Sequence, residues 1–282
     1  MIKKYVYIML AVLLALPFGC ELLEEEGGLS TEEVVEGLKT ALKVGTDSST
    51  TALSALNGYY GDILLKIPLP PEAEALRSKI NSTPELKTIF NNDLYSLDDK
   101  FEDVVLAVNR AASDAASEAA PIFKDAITGM SVSDAWEILN GTNPASAKKS
   151  AGEFDSTAAT NYFKAVTSVA LTDLYAPKIN NSLGKPVVGT VSATSAWESV
   201  TGTYNDAYDY IDGNFITRLL ISEYNLPAGI NDDLGVFCTE KALNGLFYKV
   251  GEEEKEIRRD PLKWISTTVG DILKKVFGST QD

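Results

Sequence analysis

Glu252, Glu253, Glu254 and Glu256, with Lys255 among them, are the densest group of ionisable side chains that could do chemistry in this sequence. Paired carboxylates perform acid–base work when burial or a like charge separates their pKa values. Glu252 and Glu256 are an i,i+4 pair and share one side of a helix. Ahead of them, Phe237, Leu243, Leu246, Phe247 and Val250 fall at helical spacing, and Ile257 closes the stripe. Three and four residues past Val250 the same face reaches Glu253 and Glu254, so at least one carboxylate is expected to point toward other helices. The competing reading is structural, with Lys255, Arg258 and Arg110 neutralising these groups in an ion-pair network. Charge runs are usually solvated faces, and perturbed carboxylates are often structural.

The remaining chemistry is limited by what the chain lacks. It has no histidine, which removes Ser-His and Cys-His nucleophiles, His-ligated zinc and imidazole bases. Glutamate oxygens can hold a hard cation, but there is no D-x-D-x-D-G loop, and Asp206, Asp209 and Asp212 have the wrong spacing for one. No metal and no cofactor is therefore expected. The glycines are dispersed, with neither a P-loop nor G-x-G-x-x-G, and no S-x-x-K dyad is present. Cys238 has only Lys241 nearby to activate it and reads as a small buried hydrophobe. Tyr59, Tyr60, Lys66 and Ile67 border an apolar loop and are candidates for a ligand wall; the alternative is that they are packing anchors. A net charge of −15 repels phosphate backbones, so no nucleic-acid partner is expected.

The N-terminus points to a compartment. Lys3 and Lys4 precede an apolar run, Tyr5 to Leu16, that is too short to span a bilayer. Pro17, Phe18 and Gly19 lead into Cys20, and the stretch resembles a bacterial lipoprotein signal with Pro17 in place of the usual aliphatic residue. Residues 1–19 are accordingly expected to be a leader, and Cys20 the lipidated first residue that attaches the protein to a membrane. Residues 20–29 are an acidic, glycine-containing tether. The expected location is the bacterial cell envelope, at the outer membrane on its periplasmic or surface side. Lipidation consumes Cys20 and leaves Cys238 unpaired, so no intramolecular disulfide is expected.

Residues 30–282 read as one all-α domain of roughly eight to ten helices. STEE at Ser30 to Glu33 is a capping box, and the helix it starts is expected to stop at Asn57-Gly58. Ile63 to Leu69, closed by Pro68, Pro70 and Pro71, is an extended apolar loop, with Pro71 as the first residue of the next helix. Asp98 starts a long alanine-rich helix that Pro121 is expected to break or kink. A helix over 157–183 shows Phe163, Val166, Ala170 and Leu174 as its pattern, with a kink at Pro177. Gly184 to Ser195 is the sole extended candidate. Trp197, Val200, Tyr204 and Tyr208 mark another helix, and Leu262 to Val276 the last.

Several segments, among them ALKVGTDSSTTALSALNGYYGDILLKIPLP, NRAASDAASEAAPIFKDAI and TEKALNGLFYKVGEEEKEIRRDP, together resemble the domain-of-unknown-function 4197 family. The resemblance covers most of the chain after the leader and implies an exported, often lipid-anchored helical protein. It supplies no agreed activity and no catalytic residues. Extra residues around Ala147 to Phe154 and Lys185 to Leu220 depart from the pattern as surface insertions. The functional expectation is a non-catalytic module that binds a partner protein or a small apolar ligand. Two alternatives stand beside it: a histidine-free enzyme using Glu252 to Glu256, and a purely structural envelope protein.

Overall fold

The capping box forms as its residues dictate. The Glu33 N–H donates to the Ser30 hydroxyl at 3.2 Å, and the Ser30 N–H donates to the Glu33 carboxylate at 3.0 Å. It opens α1 (Thr31–Leu53) in a computed structural model that describes residues 28–92, 96–142, 154–215, 218–230, 233–264 and 269–278. Nine further α-helices follow among the described residues: α2 (Pro71–Ser82), α3 (Pro84–Phe90), α4 (Leu97–Gly129), α5 (Ala135–Leu139), α6 (Ala158–Gly184), α7 (Ala193–Gly213), α8 (Arg218–Tyr224), α9 (Leu234–Arg259) and α10 (Gly270–Gly278). A small antiparallel hairpin, β1 (Pro186–Val188) with β2 (Val191–Ser192), fills the expected extended segment. The fold is all-α. Cys20 and the leader lie outside the described residues, and among the described ones no helix is long and apolar enough to cross a membrane.

Four long helices form the frame, α1 against α4, α4 against α6, α6 against α9, and α9 back against α1. Cross-contacts fix neighbouring helices as antiparallel. Lys124 on α4 meets Asp47 on α1, and Lys39 on α1 reaches the Thr128 carbonyl. Lys178 and Ser182 on α6 meet Glu118 and Asp114 on α4. Phe123, Phe163 and Phe247, from α4, α6 and α9, close on one another with ring centroids 5.6, 5.2 and 5.6 Å apart. Such aromatic contacts add about 0.5–1.5 kcal/mol each beyond the area they bury.

Two expectations change and one narrows. Of the break or kink expected at Pro121 the break does not occur, and Pro177 likewise lies inside a continuous α6. Both are exposed, so water can satisfy the carbonyl that each proline leaves without its helical donor. Helix α1 stops at Leu53, short of Asn57-Gly58, and Leu56 is exposed. The buried face of α6 is Phe163, Leu171, Tyr175 and Ile179, whereas Val166, Ala170 and Leu174 look outward. Apolar residues surround α6 on both sides, so periodicity alone does not identify its inner face.

The apolar loop packs along the bundle in an alternating pattern, with Leu65, Ile67 and Leu69 buried and Ile63 and Leu64 exposed. The Asn109 side-chain amide holds it as a strand partner would. Its Oδ1 accepts from the Ile67 N–H, and its Nδ2 donates to the Ile67 carbonyl, both at 2.8 Å. Tyr59 is fully buried and donates to the Ala242 carbonyl at 2.9 Å. Gly245 makes this fit possible, because a Cβ there would come 2.8 Å from the Tyr59 ring.

Candidate functional site

The acidic run divides by side chain. Val250, Glu254 and Ile257 follow one another on the buried side of α9, and Glu254 is only 1% exposed. Its carboxylate meets the first turn of α6. Oε1 accepts from the Ala159 N–H at 3.0 Å, while Oε2 accepts from the Thr160 N–H and hydroxyl, both at 2.7 Å. Arg258, one turn further along α9, donates from Nε to Glu254 Oε1 at 2.8 Å. The other end of the same guanidinium donates from Nη1 to the Leu139 carbonyl at 2.6 Å and from Nη2 to the Ile138 carbonyl at 3.0 Å.

One ion pair thus finishes two helix ends. A carboxylate satisfies orphan N–H groups at the positive end of α6, and a guanidinium reaches the last two carbonyls at the negative end of α5, of which Ile138 also accepts from the Gly141 N–H at 3.2 Å. A buried pair recovers its desolvation cost only when its other lone pairs and protons are also bonded, and here Glu254 accepts four hydrogen bonds while Arg258 donates from Nε and both terminal nitrogens. The Arg258 guanidinium also lies 5.3 Å from the Phe277 ring centroid and 5.8 Å from that of Phe154. Beside it, buried Asp155 accepts at Oδ1 from the Thr157 N–H (2.9 Å) and hydroxyl (2.7 Å), and at Oδ2 from Asn161 (2.8 Å). The Asp155 N–H donates to the Gly141 carbonyl at 2.8 Å, which brings the chain back to where α5 ends. Gly141 has φ +66° there, and a Cβ on it would strike the Phe154 ring at 2.6 Å.

The other acidic residues face different surroundings. Glu252 pairs with Lys255 at 2.6 Å, and Glu256 pairs with Arg259 at 2.5 Å, both at the surface. Glu253 is half-buried and borders α1 near Gly45. Arg110, expected among the neutralising cations, takes no part. It sits on α4 beside the Asn109 clamp, at the level of the opposite half of α9, and its Nε is buried without a hydrogen-bond partner. Of the residues considered for a ligand wall, Tyr59 and Ile67 have essentially no exposed surface. Tyr60 is half-buried with Lys66 Nζ 4.4 Å above its ring. Cys238 is buried, and desolvation pushes its thiol up to about 12, so it stays protonated at neutral pH.

Two cavities bear on function. One, of about 370 Å³, lies between the first turns of α6 and the second half of α9, with Lys164, Phe247, Glu252 and Lys255 on its walls. Its polar groups are engaged with each other, since Lys164 donates to Asn244 at 2.8 Å and Lys255 to Glu252 at 2.6 Å. The second, of about 600 Å³, is an open groove along α4 and α6. Ile122, Ala126, Met130, Val166, Ala170 and Leu174 give it an apolar lining, and Asp125 is the charged residue on its wall. Among the described residues no group of three acidic or cysteine side chains could hold a metal ion.

Spacing puts Glu253 or Glu254 toward other helices and Arg258 among the neutralising cations, but it neither pairs Glu254 with Arg258 nor identifies the helix ends they serve. Asp155 and its partner Thr157 were missed, although Asp-x-Thr ahead of a helical run is a recognisable capping signal. The groove was missed because its α6 residues were read as core. No curated protein and no solved structure matches the chain. A family model described as "Protein of unknown function (DUF4197)" matches residues 28–278, and the chain belongs to that family.

Proposed function

We propose that the protein is a non-catalytic interaction module, held at the bacterial cell envelope by a lipid on Cys20, that binds a partner or an apolar ligand in the α4–α6 groove. The observation that carries this reading is the second apolar face of α6. Val166, Val169 and Leu174 are 53%, 78% and 57% exposed on a helix whose inner face is already packed. A helix that is apolar on two sides ordinarily has two neighbours, and contiguous exposed apolar surface marks interaction sites. The acidic run supports the same reading from the other direction, because Glu254 is spent on helix ends and Glu252 and Glu256 are each matched by a cation.

The experiment is site-specific photo-cross-linking in intact cells, with a photoreactive residue at Val166 on the groove wall and, as control, at Tyr248. Adducts at Val166 and none at Tyr248 are expected; equal or absent adducts at both would remove the groove from the account. Cys20→Ser is expected to release the protein from the membrane fraction, and retention there would contradict the lipid anchor.

A second reading, a histidine-free enzyme, draws on the cavity that Glu252 and Lys255 line. Turnover in a broad hydrolase screen that is lost in Glu252→Gln would favour it over the module.

A further inference from the structure

We propose that the occupant of the α4–α6 groove is a cationic amphipathic helix of a partner protein. This names the partner chemistry for the surface put forward above and rests on that reading. Counting at helical pitch from the Glu118–Lys178 pair, Ile122 falls opposite Leu174, Ala126 opposite Ala170, and Met130 opposite Val166. Larger side chains therefore stand at both ends with alanines between them, and the short alanines make the depression. Tyr162 closes one end by donating to the Ser131 carbonyl at 3.0 Å. From Ile122 to Met130 the trough is about 12 Å long, which is two to three turns of a docked helix at 1.5 Å per residue. A helix laid in such a trough presents anchors at i, i+3 or i+4, and i+7.

The charge on the rim selects the sign of that helix. Asp125 lines the groove from α4, Asp173 follows in sequence beside the lining residue Leu174 on α6, and both are exposed. Further along the same helix pair, Asp114 and Glu118 are neutralised by Lys185 and Lys178. Lys124, the neighbour of Asp125, is committed to Asp47 on α1. Asp125 and Asp173 form no ion pair among the described residues. A partner carrying Lys or Arg beside its apolar anchors would pair with both. A second copy of this chain would instead bring a further net charge of −15 to the same place.

The test uses the full chain carrying Cys20→Ser, purified without detergent. The probes are two fluorescent amphipathic peptides of about 15 residues, three to four helical turns. One is built from Leu and Lys and the other from Leu and Glu on the same pattern, with binding read by anisotropy at several salt concentrations. The Leu/Lys peptide is expected to bind at least tenfold more tightly than the Leu/Glu peptide. Leu174→Glu should weaken it by tenfold or more, and Asp125→Asn with Asp173→Asn severalfold with a shallower salt dependence. Tyr210→Glu, in a separate groove on α7, should leave binding unchanged, and circular dichroism should show every variant folded.

Equal binding of both peptides, or binding indifferent to Leu174→Glu, would overturn the proposal. So would a dimer, seen by sedimentation, that Leu174→Glu dissociates. If the peptide fails while the Val166 photo-adducts in cells persist, the interaction surface stands and the cationic helix falls. If both fail, both fall.

Discussion

Helix α6 is completed in two different ways along its length. At its first turn every polar demand is met from within the chain. The Ala159 and Thr160 N–H groups end on Glu254, Glu254 on Arg258, and Arg258 on the last carbonyls of α5. In its middle, two turns on, Val166, Val169 and Leu174 face outward beside a trough that no described part of the chain fills. A satisfied junction of this kind costs a great deal to disturb and has no valence left for a ligand. An apolar trough costs little to alter and has its whole surface available. The contrast assigns the buried charge to stability and the exposed apolar face to recognition, which reverses the intuition that charge marks the site.

The largest expected effect lies at the junction. Both Glu254 oxygens accept from N–H or O–H donors, so Glu254→Gln places an amide N–H₂ against a donor in either orientation. Glu254→Gln and Arg258→Met should each destabilise the fold by about 3–5 kcal/mol in chemical denaturation, the usual cost of leaving one buried charge unpaired. A loss below about 1 kcal/mol would place the junction with ordinary surface pairs.

An intermediate effect is expected in alkali. Burial raises the Tyr59 and Tyr175 phenols above their ordinary value of 10.0. Above that pH the unfolded chain gives up protons that the folded chain retains, so stability falls as pH rises. The slope is about 1.4 kcal/mol per pH unit for each such tyrosine. Denaturant midpoints measured from about pH 9 to 11 check this, and a flat profile would contradict it.

In the groove, Leu174→Glu should shift stability by no more than about 0.5 kcal/mol, because the side chain is already mostly in water. Its effect belongs on binding alone. The smallest changes are expected at Glu252→Gln and Glu256→Gln, each within about 0.5 kcal/mol of the parent, since exposed i,i+3 pairs contribute little. A large loss at either would blur the distinction between the solvated and buried members of the run.

Much of this division was written in local sequence, and the rest was not. The Ser30–Glu33 box, the Pro71 helix start, the extended character of the 186–192 stretch and the apolar stripe of α9 depend on residues a few positions apart, and they were readable. Arg258 was readable as one of the cations that neutralise the run, but not as the partner of Glu254 in particular. Which glutamate turns inward depends on α6 presenting bare N–H groups 94 and 95 residues away in sequence, and no spacing rule carries that. Arg110 failed as a partner for the same reason, because it stands on α4, diagonal to α9 in the frame, and at the level of the other half of that helix. The groove was hidden because α6 is apolar on both flanks, so its 3.6-residue pattern fits two opposite orientations equally well.

The claim that the acidic run is scaffold at its buried member is tested most directly by a double-mutant cycle on Glu254 and Arg258. With Glu254→Gln, Arg258→Met and the double variant compared in denaturant, the account predicts a coupling of about 2 kcal/mol or more, the double variant costing clearly less than the two singles together. A coupling near zero, with single variants as stable as the parent, would contradict it.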